Sequence, residues 1–242
     1  MTKTAIIITG QARTFQYTFK TLHWTLLRKL NNPHFFVSVS DDPEGPTMDL
    51  LRQKYDHVET EFVKQPEKID EPDGGLDRHA GWFRSASVQN ILKQFWALER
   101  GYKFFLEKAG NNWQEFDTVV RVRPDLWCQD ITLPEHVGPN ECFTPWWSTW
   151  GGVNDRMAIM GTDAAAPYFS TFSERFALWN LGCPLHPETM LKGALELAGV
   201  RIIPKLRAEF RICRLPDKDH KVPWVIPEGL CQHELINQIL DK

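Results

Sequence analysis

The sequence predicts an α/β fold, a mainly parallel sheet sandwiched between helices in a single domain, and three observations carry that expectation. Strand-type and helix-type segments alternate as β-α-β-α-β up to about residue 63. The first strand, around Ala5-Ile6-Ile7-Ile8, is continuously apolar, as a central parallel strand covered on both faces must be. The stretch DTVVRVRPDLW, residues 117–127, delivers polar groups at the carboxyl end of a strand, the edge where open α/β sheets bind ligands.

Taken in order, Thr4 to Thr9 reads as a strand that breaks at Gly10-Gln11-Ala12-Arg13. A helix follows from about Thr14 to Leu30, with Phe15, Phe19, Leu22, Leu26 and Leu30 at helical spacing. His34 to Val39 is a second strand, Thr47 to Lys54 a short helix and Val58 to Val63 a third strand. Residues 64–84 hold prolines, glycines and many charges, the composition of a long loop; a lid is favoured there, with Trp82 and Phe83 to dock it. Ser85 or Ser87 then caps a helix that runs to about Lys108 on a stripe of Val88, Ile91, Leu92, Phe95, Tyr102 and Phe105.

Thr118 to Val122 is the next strand, ended by Pro124, which has no N–H to donate. The second half supplies a short apolar piece at Glu141 to Thr144, a strand at Met157 to Met160, and a helix from Asp163 to about Trp179. A further helix spans Glu188 to Ala198, opened by Pro187 and closed by Gly199. Val200 to Ile203 and Ala208 to Arg214 read as two more strands, and His233 to Leu240 as a last short helix.

Composition narrows the function classes. Lys and Arg total 28 against 31 Asp and Glu, a net charge of -3, which does not favour a nucleic-acid coat. The five cysteines are dispersed with no CxxC pair, reading as reduced thiols rather than a disulfide frame or zinc site. No apolar run approaches the ~20 residues of a transmembrane segment, so a cytoplasmic chain is expected. No dinucleotide fingerprint and no GxxxxGK[ST] phosphate loop occurs.

Four places carry candidate chemistry. Asp125 with Arg121 and Arg123 suits an anionic ligand, with or without a metal, or equally a surface ion-pair cluster. Arg13 and Arg84, each at a helix start, are possible partners for a phosphate beside free N–H groups. Trp146, Trp147 and Trp150 precede Gly151-Gly152, fitting either a sugar-stacking platform or a small core beneath a loop. Glu188 lies in a first helical turn, where the helix dipole alone would account for a carboxylate. The unpaired histidines His186, His220 and His233 are candidates for late metal ligands, but such histidines are more often structural or solvated.

Together these pieces resemble the GT-A class of nucleotide-sugar glycosyltransferases, in particular small bacterial and viral members with "ITGQxR" and "RxRPDL" motifs. The matching residues are Ile8 to Arg13 and Arg121 to Leu126, with Asn154 to Gly161 like "NDxFAIG" and His186-Pro187-Glu188 like an acidic late helix start. The resemblance implies a GT-A-like domain, with a donor-binding half at 1–133 and an acceptor-binding half with a C-terminal tail at 134–242. It implies transfer of a sugar from a nucleoside diphosphate donor to a glycan or other hydroxyl acceptor. The donor would meet Thr9, Gly10, Gln11, Arg13, Arg84, Arg121, Arg123 and Asp125, with Asp125 holding Mn²⁺ or Mg²⁺. Glu188 ranks first as catalytic base and Asp155 second; Trp146, Trp147 and Trp150 would face the acceptor. The chain departs from the usual DxD pair, because Arg123 and Trp127 flank Asp125 where a second acid would stand. The rivals are a sugar-phosphate nucleotidyltransferase and a non-catalytic glycan-binding protein.

Overall fold

The computed structural model describes residues 3–12, 14–40, 47–72 and 88–213. The apolar N-terminal run forms β1 (Lys3–Gln11), flanked in parallel by β2 (Pro33–Ser40) and β4 (Phe116–Val122), with β3 (Val58–Val63) outside β2. Beyond β4 the direction reverses. β7 (Met157–Gly161) runs antiparallel to β4 and β6 (Glu141–Pro145) antiparallel to β7. β8 (Arg201–Ile212) is parallel to β6, and β5 (Leu126–Thr132) closes the series antiparallel to β8.

The expected mainly parallel, GT-A-like sheet between two helical layers is therefore corrected: the eight strands, in the order β3-β2-β1-β4-β7-β6-β8-β5, form a mixed sheet that curls into a half-barrel. The curl comes from β8, which pairs with β6 from Arg201 to Leu206 and with β5 from Arg207 to Ile212. Pro204 sits where the ladder with β6 shifts register, a place that tolerates a residue without an N–H. The two strands expected around it are one bent strand. β5 had no counterpart in the sequence expectations. Leu126, Cys128 and Ile131 are all buried, but a bulge between Cys128 and Asp130 resets the alternation that would announce a strand.

On one face of the sheet, Ala5, Ile7, Phe36, Val119, Ala158 and Met160 pack against three helices, α3 (Val88–Ala109), α4 (Thr162–Phe169) and α6 (Pro187–Leu197). Among the described residues, the other face has no matching layer. There α1 (Phe15–Thr25) lays Phe15, Phe19 and Leu22 on Ile6, Ile8, Phe35 and Val37, and the folded-back β5 covers it with Leu126, Cys128 and Ile131. Side chains pin the clasp: the Cys128 N–H donates to Thr21 Oγ1 at 3.1 Å, and Lys29 Nζ to the Ile131 carbonyl at 2.6 Å. The helix is shorter than the predicted 14–30 because the chain tightens into a 3₁₀ turn at Leu27–Lys29.

The helix expected from Asp163 to Trp179 is broken as α4, a 3₁₀ turn at Ser170–Phe172, and α5 (Arg175–Asn180). The remaining helix, α2 (Thr47–Lys54), is where the sequence puts it. Because β4 pairs with β7 and β5 with β8, the halves 1–133 and 134–242 share one continuous sheet. Residues 73–84 of the expected lid, including Trp82, Phe83 and Arg84, lie outside the described residues, as do Arg13, His220, His233 and the helix expected at 233–240. Among the described residues, no helix is long and apolar enough to cross a membrane.

Candidate functional site

The site follows from strand direction and register. β1 and β4 are parallel neighbours with Ile8 opposite Val122, so the residues that follow, Thr9-Gly10-Gln11 and Arg123-Pro124-Asp125, emerge side by side. β1 runs through Gly10 rather than stopping at it. Gly10 has φ 130, an angle that side-chain-bearing residues rarely adopt, while a Cβ there would only touch Pro124 Cδ at 3.4 Å, so it is the backbone angle that calls for glycine. The helix α3 is pressed onto β1 in turn: a Cβ on Gly101 would stand 2.2 Å from Thr9 Cγ2. Its N-terminal half thus reaches the strand ends and walls a cleft of about 380 Å³ with Asn90, Lys93 and Gln94; Gln65 closes another side.

Charge in this cleft is predominantly positive, with Lys93, Arg121 and Arg123 against Asp125 among its lining residues. Arg121 is fully buried, and desolvation pushes its guanidinium down to about 10, so it stays charged at neutral pH. It donates through Nη1 to the Arg156 carbonyl at 3.0 Å. Its Nε and the Oγ1 of buried Thr9 have no hydrogen-bond partner among the described residues, an arrangement that costs free energy.

Arg123 grips Asp125 with two bonds of 2.8 Å, Nε to one carboxylate oxygen and Nη2 to the other. Burial alone would lower the Arg123 guanidinium; the Asp125 charge and hydrogen bonds, with Asp155 and Glu188 behind, outweigh it and hold it above its ordinary value. The Mn²⁺ or Mg²⁺ that the resemblance puts on Asp125 would have to share a carboxylate each of whose oxygens already accepts from a guanidinium. Among the described residues, no three His, Cys, Asp or Glu side chains converge as ligands.

The two candidate acids arrive from the second half of the chain. Because β7 is antiparallel to β4, with Met157 opposite Val122, the residues just before β7 lie beside those just after β4. Asp155 is delivered there, buried, and accepts from the Gln94 side chain of the cleft wall. Glu188 sits in the first turn of α6, also buried, 2.9 Å from His186 Nδ1. Burial holds the Glu188 carboxyl above the usual carboxylate range; the Asp155 charge adds to that, and His186 pulls the other way.

The tryptophan loop joins these acids rather than the strand ends. Trp147 is turned inward, its Nε1 donating to the Ala208 carbonyl at 2.8 Å and its ring 4.7 Å from Phe210, while Trp146 and Trp150 stay exposed. Asn154 donates to the Trp147 carbonyl, and the Val153 N–H donates to the Glu188 carbonyl at 3.0 Å. Gly152 lies against that carbonyl so closely that a Cβ would stand 1.9 Å from its oxygen. Gly152→Ala is therefore expected to cost about 1–3 kcal/mol by forcing the loop off α6. Thermal denaturation that leaves its midpoint unchanged would contradict this contact.

A family model described as a domain of unknown function matches residues 1–226, spanning every strand and helix of the site. The chain belongs to the DUF7796 family. No curated protein matches it.

Within this DUF7796 chain, sequence reasoning brought Thr9, Gly10, Gln11, Arg121, Arg123 and Asp125 to one cleft and missed its α3 wall. Asn90, Lys93 and Gln94 recur at three- and four-residue spacing, a polar stripe beside the apolar one, and that periodicity is the available signal. His186 was set aside as a lone histidine, although a residue two positions from an acid at a helix start is within reach of it.

Proposed function

We propose that this chain is a glycosyltransferase that binds a nucleoside diphosphate sugar in the cleft between β1, β4 and α3 and transfers its sugar to a hydroxyl acceptor. One observation carries the proposal: Gly10 and Asp125, remote in sequence, line the same positively charged cleft. The three cationic residues of its lining, Lys93, Arg121 and Arg123, match the charge of a diphosphate.

In the proposed reaction the acceptor oxygen bonds to the anomeric carbon as the bond from that carbon to the diphosphate oxygen breaks. The bonding electrons leave with the diphosphate, whose developing charge faces Arg121, Arg123 and Lys93. The acceptor proton passes to a carboxylate, Glu188 first and Asp155 second. With Asp125 held by Arg123, no step requires a protein-bound metal.

Thermal-shift measurements with a panel of uridine, guanosine and thymidine diphosphate sugars test this. A donor at a hundred times its Kd stabilises the native state by ~2.7 kcal/mol, so a clear rise in Tm is expected for at least one member of the panel. The rise is expected to be equal in EDTA and in Mn²⁺. A panel that moves nothing overturns the donor assignment, and a rise seen only with Mn²⁺ overturns the arginine-only account of charge. Slow release of nucleoside diphosphate from the bound donor then separates a transferase from a non-catalytic binder.

A further inference from the structure

Where the β2–β3 ladder opens, two imidazoles lie face to face. His34, near the start of β2, and His57, the residue before β3, stack with ring centroids 4.0 Å apart and planes within 1° of parallel. The first rung of the ladder is beside them, the Phe35 N–H donating to the His57 carbonyl at 2.8 Å. His57 is exposed, while half-buried His34 also meets the Phe116 ring at 86°, and Phe116 packs on Phe36 and Phe105 of the core. A metal shared by the two rings does not suit this geometry. Imidazole lone pairs lie in the ring plane, and in parallel stacked planes they cannot converge on one ion. Protons are another matter, because a stack with both rings charged holds two unit charges about 4 Å apart.

We propose that the His34–His57 stack is a pH-sensitive latch, which holds β3 to the sheet at neutral pH and loosens it when both rings are protonated. The proposal is independent of the transferase reading. β3 is the outermost of the described strands and none of its six residues is buried, so its ladder with β2 and a few side-chain bonds hold it. The chain leaving its far end supplies Gln65 to the cationic cleft. The charged groups around the stack are Lys3 from β1, Asp56 and Glu59 flanking His57, Lys108 from α3, and Glu115 before β4. Lys3 pairs with Glu115 and Lys108 with Glu59, and Asp56 is exposed. Among the described residues the buried Nε2 of His34 has no hydrogen-bond partner, so a protonated ring would hold an N–H there without an acceptor. Burial pushes the His34 imidazole below its ordinary value; His57 and Lys3 add to that, and Glu115 opposes. Because the folded value lies below the unfolded one of about 6.5, this stabilisation is whole above that pH and is lost as pH falls through the folded value.

The test is native-state amide exchange at about pH 7.5 and about pH 5, read as protection factors, with the His34 Cε1–H resonance titrated by NMR. In the unmutated chain, the β3 amides bonded to β2 are expected to lose several-fold more protection on acidification than those of β1. His57→Gln removes the second charge, so the His34 midpoint is expected to rise and the extra loss at β3 to disappear. His57→Lys makes that charge permanent, so the midpoint is expected to fall further and β3 to be loosened already at the higher pH. The exposure of His57 lets both variants keep the core. A His34 midpoint that neither substitution moves overturns the latch. So does an acid loss of protection at β3 that persists unchanged in His57→Gln.

Discussion

Arg123→Ala is expected to destabilise the fold by ~3–5 kcal/mol, because it removes the guanidinium that bonds both oxygens of a buried carboxylate. The Asp125 side chain is 9% exposed and each of its oxygens takes a 2.8 Å bond from the same guanidinium. Restoring water to that carboxylate means opening the junction between β4 and β5, since the Asp125 carbonyl also accepts from the Cys213 N–H at 2.7 Å. The double variant Arg123→Ala/Asp125→Ala removes the buried carboxylate together with the guanidinium, and it is expected to be more stable than the single one. Urea midpoints at constant m-value measure both. An exposed pair gives the contrast: Arg201 is 74% exposed in its bridge to Glu141, so Arg201→Ala is expected to cost under ~1 kcal/mol. If Arg123→Ala were no worse than Arg201→Ala, the buried clamp would have no standing as the centre of the site.

Local pattern disclosed the parts of this fold that local pattern determines. The apolar run Ala5 to Ile8, the helical stripe of α1 and the stop at Pro124 each follow from nearest-neighbour chemistry, and each is where periodicity puts it. Strand direction is another matter. β7 is Met-Ala-Ile-Met-Gly, buried throughout, and such a run reads the same whether its neighbour is parallel or antiparallel. The mixed sheet and its curl depend on that direction, on a bulge in β5 and on Pro204 bending β8 without ending it. At the site, motif order was enough to bring Gly10 and Asp125 together, because Gly10 lies near the end of β1 and Asp125 just past the end of β4, its parallel neighbour. Partners were not legible. Nothing in Arg-Val-Arg-Pro-Asp says that Arg123 turns back onto Asp125 while Arg121 buries itself beneath the cleft, and the three tryptophans give no sign of which one faces inward.

Glu188→Gln is expected to reduce transfer by about 10²–10⁴-fold, the range for loss of a general base, while donor affinity stays near that of the unmutated chain. The amide keeps the shape of the first turn of α6 and cannot take the acceptor proton. Unaltered turnover would move the base to Asp155. The pH dependence adds an independent check with a definite sign. Burial, then the Asp155 charge, raise the Glu188 carboxyl above its unfolded value, with His186 opposing. The base form therefore appears only above that raised pKa, so the acid limb of the rate profile is expected above the ordinary carboxylate range of about 4.3. Stability runs the other way. A folded pKa raised over the unfolded one contributes stability below the unfolded value and loses it as pH rises through the folded one. Glu188→Gln never ionises, so it escapes that loss and is expected to melt higher than the unmutated chain at pH 7, with the advantage shrinking as pH falls towards 4. A variant slower in transfer yet harder to melt fits a carboxylate kept ionised at a cost to the fold, as a residue retained for chemistry would be. One that is slower and softer would instead make Glu188 a structural member of the α6 first turn.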